Sequence, residues 1–506
     1  MTTFTSVNPE NAASFGPNFL CHTMDDVNQI IEKAHANQQH IAALSPKRRG
    51  EFLTAIGHQL ESRRPEIVAI AVRESGLPEK RINSELTRTI FQLMHFAEAM
   101  QLGQYLQATI DLADPNYSMG PRPDLRKQLQ PLGTVAIFGA SNFPLAFSTG
   151  GNDTVSALAG GNSVVVKGHP SHPQTSQLVF DCFQSTIIDF QLPAETMSLI
   201  QGDDPQLTYW VAQHPKISAI GFTGSGKVGR LLVKLGAERN FPIPVFAEMG
   251  AINPVFVSSK AIKERGSELA KSAVDSIMLG SGQFCTKPGL FIISKAMADV
   301  FISDVSAHLK SIDAGPLLNK GIKERYYENL SMMSKFNFKE IRSDYPEEVG
   351  FMVPPIIYIS EWDLVAANPE LLEERFGPTA ILAVADESMF ESVALTLEGQ
   401  LTATIHAGNN ENFNSLISIV SERAGRIIWN SFPTGVSVTN AMQHGGPWPS
   451  SSTPTTSVGS DAAYRFLRPV AYQGMPDDQL PPALQNRNPW GINRLINGNR
   501  TAREID

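Results

Sequence analysis

Residues 216–229 read KISAIGFTGSGKVG. A short apolar run, rich in β-branched residues, leads into glycines at 224, 226 and 229. The helical-looking VGRLLVKLGAE (228–238) follows at once. A strand that turns through glycine straight into a helix is one βα unit. Upstream, GTVAIFGA (133–140), NSVVVKG (162–168) and ETMSLIQG (195–202) read as further strands. Between them, 143–161 and DPQLTYWVAQ (204–213) read as helices. This rhythm predicts an α/β fold with a parallel, doubly wound sheet. A second α/β region opens at FPIPVFAEMGAINPVFV (241–257) and runs to about residue 440. Residues 24–110 carry apolar positions at three- and four-residue spacing and predict helices. Residues 112–131 are polar and proline-rich, suited to a linker or to an excursion that meets another subunit.

At 506 residues the chain exceeds what one core supports, so two or three domains are expected. Hydrophobic residues at 42% and charged residues at 18% describe an ordinary globular protein. A net charge of −9, with no lysine–arginine run, argues against a nucleic-acid footprint and a membrane-surface helix. No apolar run approaches the ~18 residues of a membrane span. MTTFTSVNPENAASFGPNF (1–19) has neither the basic nor the apolar part of a secretory leader. Cys21, Cys182 and Cys285 are odd in number and form no CxxC, which favours reduced thiols and a cytoplasmic setting.

The glycine turn itself admits three readings. Gly224-x-Gly226-x-x-Gly229 fits a dinucleotide turn, whose free amides and positive helix end attract phosphate. Gly221-x-x-x-x-Gly226-Lys227 approaches an NTPase phosphate loop, but Val228 stands where a hydroxyl must hold magnesium. The third is a tight turn that merely needs glycine. A dinucleotide turn also wants a carboxylate ~20 residues on to hold a ribose. Glu248 sits near that distance, so this reading alone leaves it open whether Glu248 holds ribose or does chemistry.

GQFCTKPG (282–289) brackets Cys285 with glycines and sets Lys287 beside it. A cysteine that serves only as a small buried hydrophobe does not need such surroundings. Loop amides and Lys287 are expected to favour the thiolate. A nucleophilic Cys285 needs a base and an oxyanion donor. None of the eleven histidines stands out as the base; His169, His172, His214 and His444 read as loop or structural residues. Glu248 is the better base, a lone carboxylate among apolar residues whose pKa burial would raise. Asn142, in a loop after a strand, reads as a turn residue or as an amide donor to an oxyanion. No metal-ligand spacing is present.

Together these pieces resemble the aldehyde dehydrogenase superfamily. SNFPL (141–145) looks like its oxyanion-asparagine segment, and VVVKG (164–168) like the strand whose Lys167 meets the adenosine ribose. GFTGS (221–225) looks like the turn facing nicotinamide and diphosphate, through Gly224 and Ser225. AEMG (247–250) looks like the general-base segment and GQFC (282–285) like the nucleophile loop. ERFGP (374–378) looks like the segment whose Glu374 holds the nicotinamide ribose, with Phe376 against it. The resemblance implies two doubly wound α/β domains plus a small β oligomerisation element, in a homodimer or homotetramer. Residues 1–115 and 132–247 would bind NAD or NADP, 248–455 would be catalytic, and 116–131 with 456–506 would join subunits.

The resemblance also implies a mechanism. Cys285 attacks an aldehyde, Asn142 and the Cys285 amide hold the oxyanion, oxidation leaves a thioester, and Glu248 activates the water that cleaves it. That assignment favours catalysis for Glu248. Three departures stand out: Ser141 replaces the usual Trp, Ala251-Ile252 the usual Gly-Lys, and Pro170 a Glu that binds the adenosine ribose. Losing that carboxylate is expected to admit NADP, with Lys167 and His169 as partners of its phosphate. GASNFPLAFS (139–148), PTGVSVTNAMQHGGPWPSSS (433–452) and RFLRPVAYQ (465–473) look most like the 2,5-dioxovalerate dehydrogenase branch. Related NADP-dependent dehydrogenases of long-chain aldehydes share parts of this pattern. An acidic substrate needs a cation or a cluster of donors, for which Arg465, Arg468 and the hydroxyls of 450–457 are candidates. Transfer of the thioester to a thiol acceptor and nucleotide-triphosphate hydrolysis are the rival readings, disfavoured by Glu248 and Val228 respectively.

Overall fold

The KISAIGFTG segment forms the strand Ile217–Thr223, and Gly226–Ala237 forms the helix after it. The computed structural model describes residues 2–505 apart from 311, 313–314 and 344–348. Ile217–Thr223 belongs to a five-stranded, wholly parallel sheet. Its order across the sheet is Met197–Ile200, Ser163–Lys167, Thr134–Phe138, Ile217–Thr223, Val245–Glu248. The chain moves outward from the central Thr134–Phe138 strand, then crosses back to its other side. This is the topological switch at which open α/β sheets bind ligands, beyond the strands' carboxyl ends. Asn142, Lys167, Gly224 and Glu248 all lie at or just past those ends. The strands read as nearly continuous apolar runs because helices cover both faces.

One expected helix is shorter than its composition suggests. Of 143–161, only Asn152–Gly160 is helical. Pro144 and the Gly150-Gly151 pair oppose an earlier start. The amides of Leu145 and Ala146 are instead taken by the Glu85 carboxylate at 2.9 Å each. The N-terminal helical region comprises Met24–Ala36, Gln38–Ala42, Pro46–Ser62, Arg64–Ser75 and Glu79–Gln101. Thr23 and Asp26 close a capping box on the first, and Gly76, at φ 63°, ends the fourth in the left-handed region that glycine tolerates.

The second region builds a seven-stranded sheet. Ile356–Glu361, Thr379–Ala385, Leu290–Ser294, Pro254–Val257, Gln400–His406 and Ala424–Trp429 run parallel, and Lys339–Arg342 pairs antiparallel at one edge. A third sheet joins Leu467–Gln473, Leu125–Pro131, Thr109–Asp111, Arg494–Ile496 and Asn499–Thr501. Its excursion starts at Thr109, inside the 1–115 segment expected to bind cofactor, because Thr109–Asp111 pairs with Leu125–Lys127. The 112–131 stretch is therefore an arm of a sheet rather than a free linker. Among the described residues no helix is long and apolar enough to cross a membrane.

Candidate active site

Cys285 follows the Ser259–Met278 helix on a turn of left-handed residues: Gly280, Ser281 and Gly282 have φ of 58°, 57° and 69°. At Gly282 a side chain is excluded outright, since its Cβ would fall 1.9 Å from the carbonyl oxygen of Gly377. The turn thus pushes the nucleophile loop against the ERFGP segment. Asn253, left-handed at φ 53°, fastens the loop from the other side. Its amide nitrogen reaches the carbonyls of Cys285 at 2.8 Å and Lys287 at 3.0 Å, and its oxygen accepts from Thr402. Gln400 accepts from the amides of Ile252 and Asn253, fixing that corner.

Two sheets converge on the sulfur. Glu248 ends the last strand of the first sheet and lies buried. Its Oε2 accepts from Ser457 Oγ at 2.9 Å, and His444 Nε2 stands 3.0 Å from its Oε1. The same Nε2 is 3.7 Å from Cys285 Sγ. His444 does lie in a loop, but it stands between thiol and carboxylate, against the expectation that it is no partner of Cys285. It was missed because QHGGPWPS shows no periodicity that would aim a side chain; only the fold brings it 159 residues back to Cys285. One ligand atom each of Glu248, Cys285 and His444 lies within 4.8 Å of the others, a donor set that metal-ligand spacing in the sequence does not announce.

The electrostatics invert two expectations. Burial and the Glu248 carboxylate push the Cys285 thiol well above its usual range, so the resting sulfur is protonated. Lys287 does not offset this. Its Nζ donates to the carbonyls of Arg375 at 2.6 Å, Gly377 at 3.1 Å and Thr379 at 2.7 Å, on the far side of the loop. Burial also pushes the Glu248 carboxyl up, but His444, Ser457 and Cys285 together outweigh it and hold the group below the ordinary carboxylate range. Glu248 is an ionised acceptor facing a neutral thiol.

Asn142 Nδ2 donates to Gln283 O at 2.9 Å, which places its amide beside the GQFC loop. Glu374 is held over Gly250, where a Cβ would lie 1.9 Å from its Oε2. Burial pushes its carboxyl up to about 7. Phe376 is half-buried in the same segment. Lys167 Nζ donates to Gly202 O at 3.0 Å, and burial lowers it to about 8. His169 is held well below its usual pKa by burial and accepts from the Ser171 amide, so it is neutral. Pro170 occupies that turn. Ser225 precedes the Gly226–Ala237 helix without capping it through its side chain, and no acidic residue sits in the first turn. Those free amides suit a diphosphate, so this edge fits a dinucleotide.

Arg465 and Arg468 are not at this site. Arg465 is buried in an ion pair with Asp153 at 2.6 Å, and Arg468 is exposed on a third-sheet strand paired with Gln130. The guanidinium groups near the sulfur are others. A cavity of about 270 Å³ opens over Cys285, and Arg81 and Arg88 line it with Phe143, Phe147, Phe284 and His444. Both arginines come from the Glu79–Gln101 helix. Their seven-residue spacing, with Glu85 between them, puts them on one helical face, a signal the sequence does carry.

The chain is similar to known proteins along most of its length. Residues 2–468 match the aldehyde dehydrogenase family. An alpha-ketoglutaric semialdehyde dehydrogenase of Acinetobacter baylyi is 39% identical over 503 residues, covering 98% of this chain and 95% of that one. Alpha-ketoglutaric semialdehyde dehydrogenase 2 of Azospirillum brasilense is 39% identical over 488 residues, covering 95% and 93%. A glyceraldehyde-3-phosphate dehydrogenase of Methanocaldococcus jannaschii, solved with NADP, superposes at a TM-score of 0.79 with 18% identity, covering 93% and 98%. The chain belongs to the aldehyde dehydrogenase family and is an oxidoreductase that uses NAD or NADP to turn an aldehyde into its acid.

Proposed function

We propose that the protein oxidises 2,5-dioxovalerate (alpha-ketoglutaric semialdehyde) to 2-oxoglutarate. The observation that carries this substrate is the 39% identity, over nearly the whole chain, to a dehydrogenase named for it. In this reading Cys285 is the nucleophile. The thiol proton leaves for Glu248, directly or through His444 Nε2, which stands within reach of both. The sulfur then bonds to the aldehyde carbon. The Asn142 amide and the Cys285 backbone N–H hold the resulting oxyanion. A bound nicotinamide supplies the acceptor for the aldehyde hydrogen and its electron pair. The product of that oxidation is a thioester on Cys285. The thiol proton passes on from Glu248 to solvent, which returns the carboxylate. Glu248 then takes a proton from water, the water oxygen bonds to the acyl carbon, and the carbon–sulfur bond breaks. The sulfur leaves as a thiolate that recovers its proton from Glu248. A carboxylate held below its usual range suits this role only with help. His444 supplies it by accepting or sharing the proton, so that proton removal does not rest on a weak base alone.

Lys167, Gly224, Ser225, Glu374 and Phe376 would hold the dinucleotide. Pro170 brings no carboxylate to the adenosine ribose and Lys167 stands beside it, which favours NADP over NAD. The third sheet, with its exposed Leu467–Gln473 strand, would join subunits into a dimer or tetramer. Residues 1–115 with 132–247, and 248–455, would be the cofactor and catalytic domains.

The test is reduced-cofactor absorbance with 2,5-dioxovalerate, glutarate semialdehyde and decanal, each with NAD and with NADP. The dioxo acid with NADP should give the highest kcat/KM. A preference for decanal would overturn the substrate and leave the reaction class standing.

A further inference from the structure

The cavity over Cys285 is lined by the rings of Phe143, Phe147 and Phe284, by Thr286 and His444 near the sulfur, and by one helical face. Arg81, Ser84, Glu85 and Arg88 stand there at successive turns of the Glu79–Gln101 helix. Their charges do not cancel. Glu85 is buried and committed: its Oε2 binds Arg81 Nη1 at 2.6 Å, and its Oε1 accepts from the amides of Leu145 and Ala146. Arg81 is thereby neutralised and lies over the Phe143 ring at 4.5 Å. Arg88 has no carboxylate within ion-pair distance among the described residues. Its Nε donates to Val436 O at 3.4 Å, its guanidinium sits 5.0 Å from the Phe147 centroid, and its Nη2 is buried with no hydrogen-bond partner. Arg81 Nε and Nη2 are also buried without partners.

A guanidinium brings five N–H donors and cannot shed its charge. Placing it against aromatic rings with most donors unmet is costly unless an anion completes it. Such an anion would share the cavity with Cys285. We propose that Arg88, with Arg81 beside it, is the anion seat of this cavity and takes the carboxylate at the far end of an aldehyde acid whose carbonyl meets Cys285. Arg88 rather than Arg81 carries the charge, because Glu85 already occupies Arg81. A forked guanidinium matches a carboxylate in two parallel hydrogen bonds, and the rings of Phe143, Phe147 and Phe284 enclose the carbons between. This rests on the acidic-substrate reading and names the residues that would enforce it.

The experiment compares the wild-type enzyme with Arg88→Leu and Arg88→Lys on 2,5-dioxovalerate, glutarate semialdehyde and neutral pentanal. Glutarate serves as a dead-end inhibitor. In Arg88→Leu the KM for both acids and the Ki for glutarate should rise about 10- to 100-fold, the size of a lost charged hydrogen bond. The acid-to-pentanal ratio of kcat/KM should fall by the same factor, and Arg88→Lys should recover part of it. An unchanged ratio, whether all three substrates fall together or none does, overturns the proposal and leaves Arg88 a packing residue. If the wild-type enzyme already prefers pentanal, the acidic-substrate reading itself fails, and the anion seat falls with it. If the wild-type enzyme prefers the acids and only the Arg88 ratio stays flat, the substrate stands and the seat alone is wrong.

Discussion

Cys285 and Lys287 are two residues apart, both in GQFCTKPG, and they face opposite ways. Lys287 is satisfied. Three backbone carbonyls of the 375–379 segment surround its Nζ, so it clasps the nucleophile loop to the ERFGP loop. Cys285 is not satisfied. Its sulfur has a long contact to His444 and otherwise opens into the cavity. The same short loop therefore holds a structural lysine, whose donors are all spent, and the proposed nucleophile, whose environment is left unfinished. Burial acts on both, pushing the thiol up and the ammonium down, each toward its neutral form. What differs is the company: the lysine meets carbonyls, and the cysteine meets an ionised carboxylate and an imidazole.

The sharpest way to break this contrast is Cys285→Ala. The product-forming rate should fall at least ~10³-fold, as for other covalent nucleophiles, while the melting temperature barely moves. Lys287→Met should do the reverse. Removing a charged donor takes a hydrogen bond from three buried carbonyls, of which Gly377 O keeps the Thr379 amide at 2.8 Å, at a cost of about 3 kcal/mol. The melting temperature should drop by several degrees, and the activity per folded molecule should fall less than in Cys285→Ala. If Lys287→Met instead kept its stability and lost its rate, the lysine would be acting on the sulfur after all.

Glu248→Gln separates the two halves of the reaction. Thioester formation can still draw on His444, but water has lost its base. A pre-steady-state burst of reduced cofactor should therefore persist while the steady rate falls about 10²- to 10⁴-fold. Loss of the burst together with the steady rate would place Glu248 in thiol activation instead.

Much of the contrast was legible in the sequence, and the illegible part has a common cause. Cys285, Glu248 and Asn142 stand out in the sequence because each sits in a short segment whose local composition (glycines, a strand end, a lone polar group) is unusual. The parallel sheet was readable for the same reason, since each βα unit is written within about 30 contiguous residues. His444 and the true partners of Lys287 depend on where remote loops land, and the helical face that Arg81 and Arg88 share shows in their spacing while the cavity it faces does not. Nothing near QHGGPWPS says that His444 will meet Cys285, and nothing in TKPG says that Lys287 will turn away from it. Arg465 and Arg468 lie away from the cavity, because closeness along the chain to 433–452 does not set their position in space. Asp153, deep in the first domain, claims Arg465.

His444→Gln tests the part that only the fold could show. The imidazole helps to hold Glu248 below its usual range against the opposing pull of burial. Without it, burial is less opposed and the Glu248 carboxyl must rise. As the proposed base, Glu248 would act only when ionised, so the acid limb of the kcat profile should move to higher pH. The loss of rate should be largest under mildly acid conditions and shrink as pH increases, with about a 10-fold deficit where the profile levels. The Cys285 thiol is pushed up partly by the charge on Glu248, and a His444 replacement leaves that charge in place above the new limb. The alkaline side of the profile should therefore keep its position. A uniform drop at every pH would mean that His444 only shapes the cavity wall. A shift confined to the alkaline side would make it the partner of the sulfur rather than of the carboxylate.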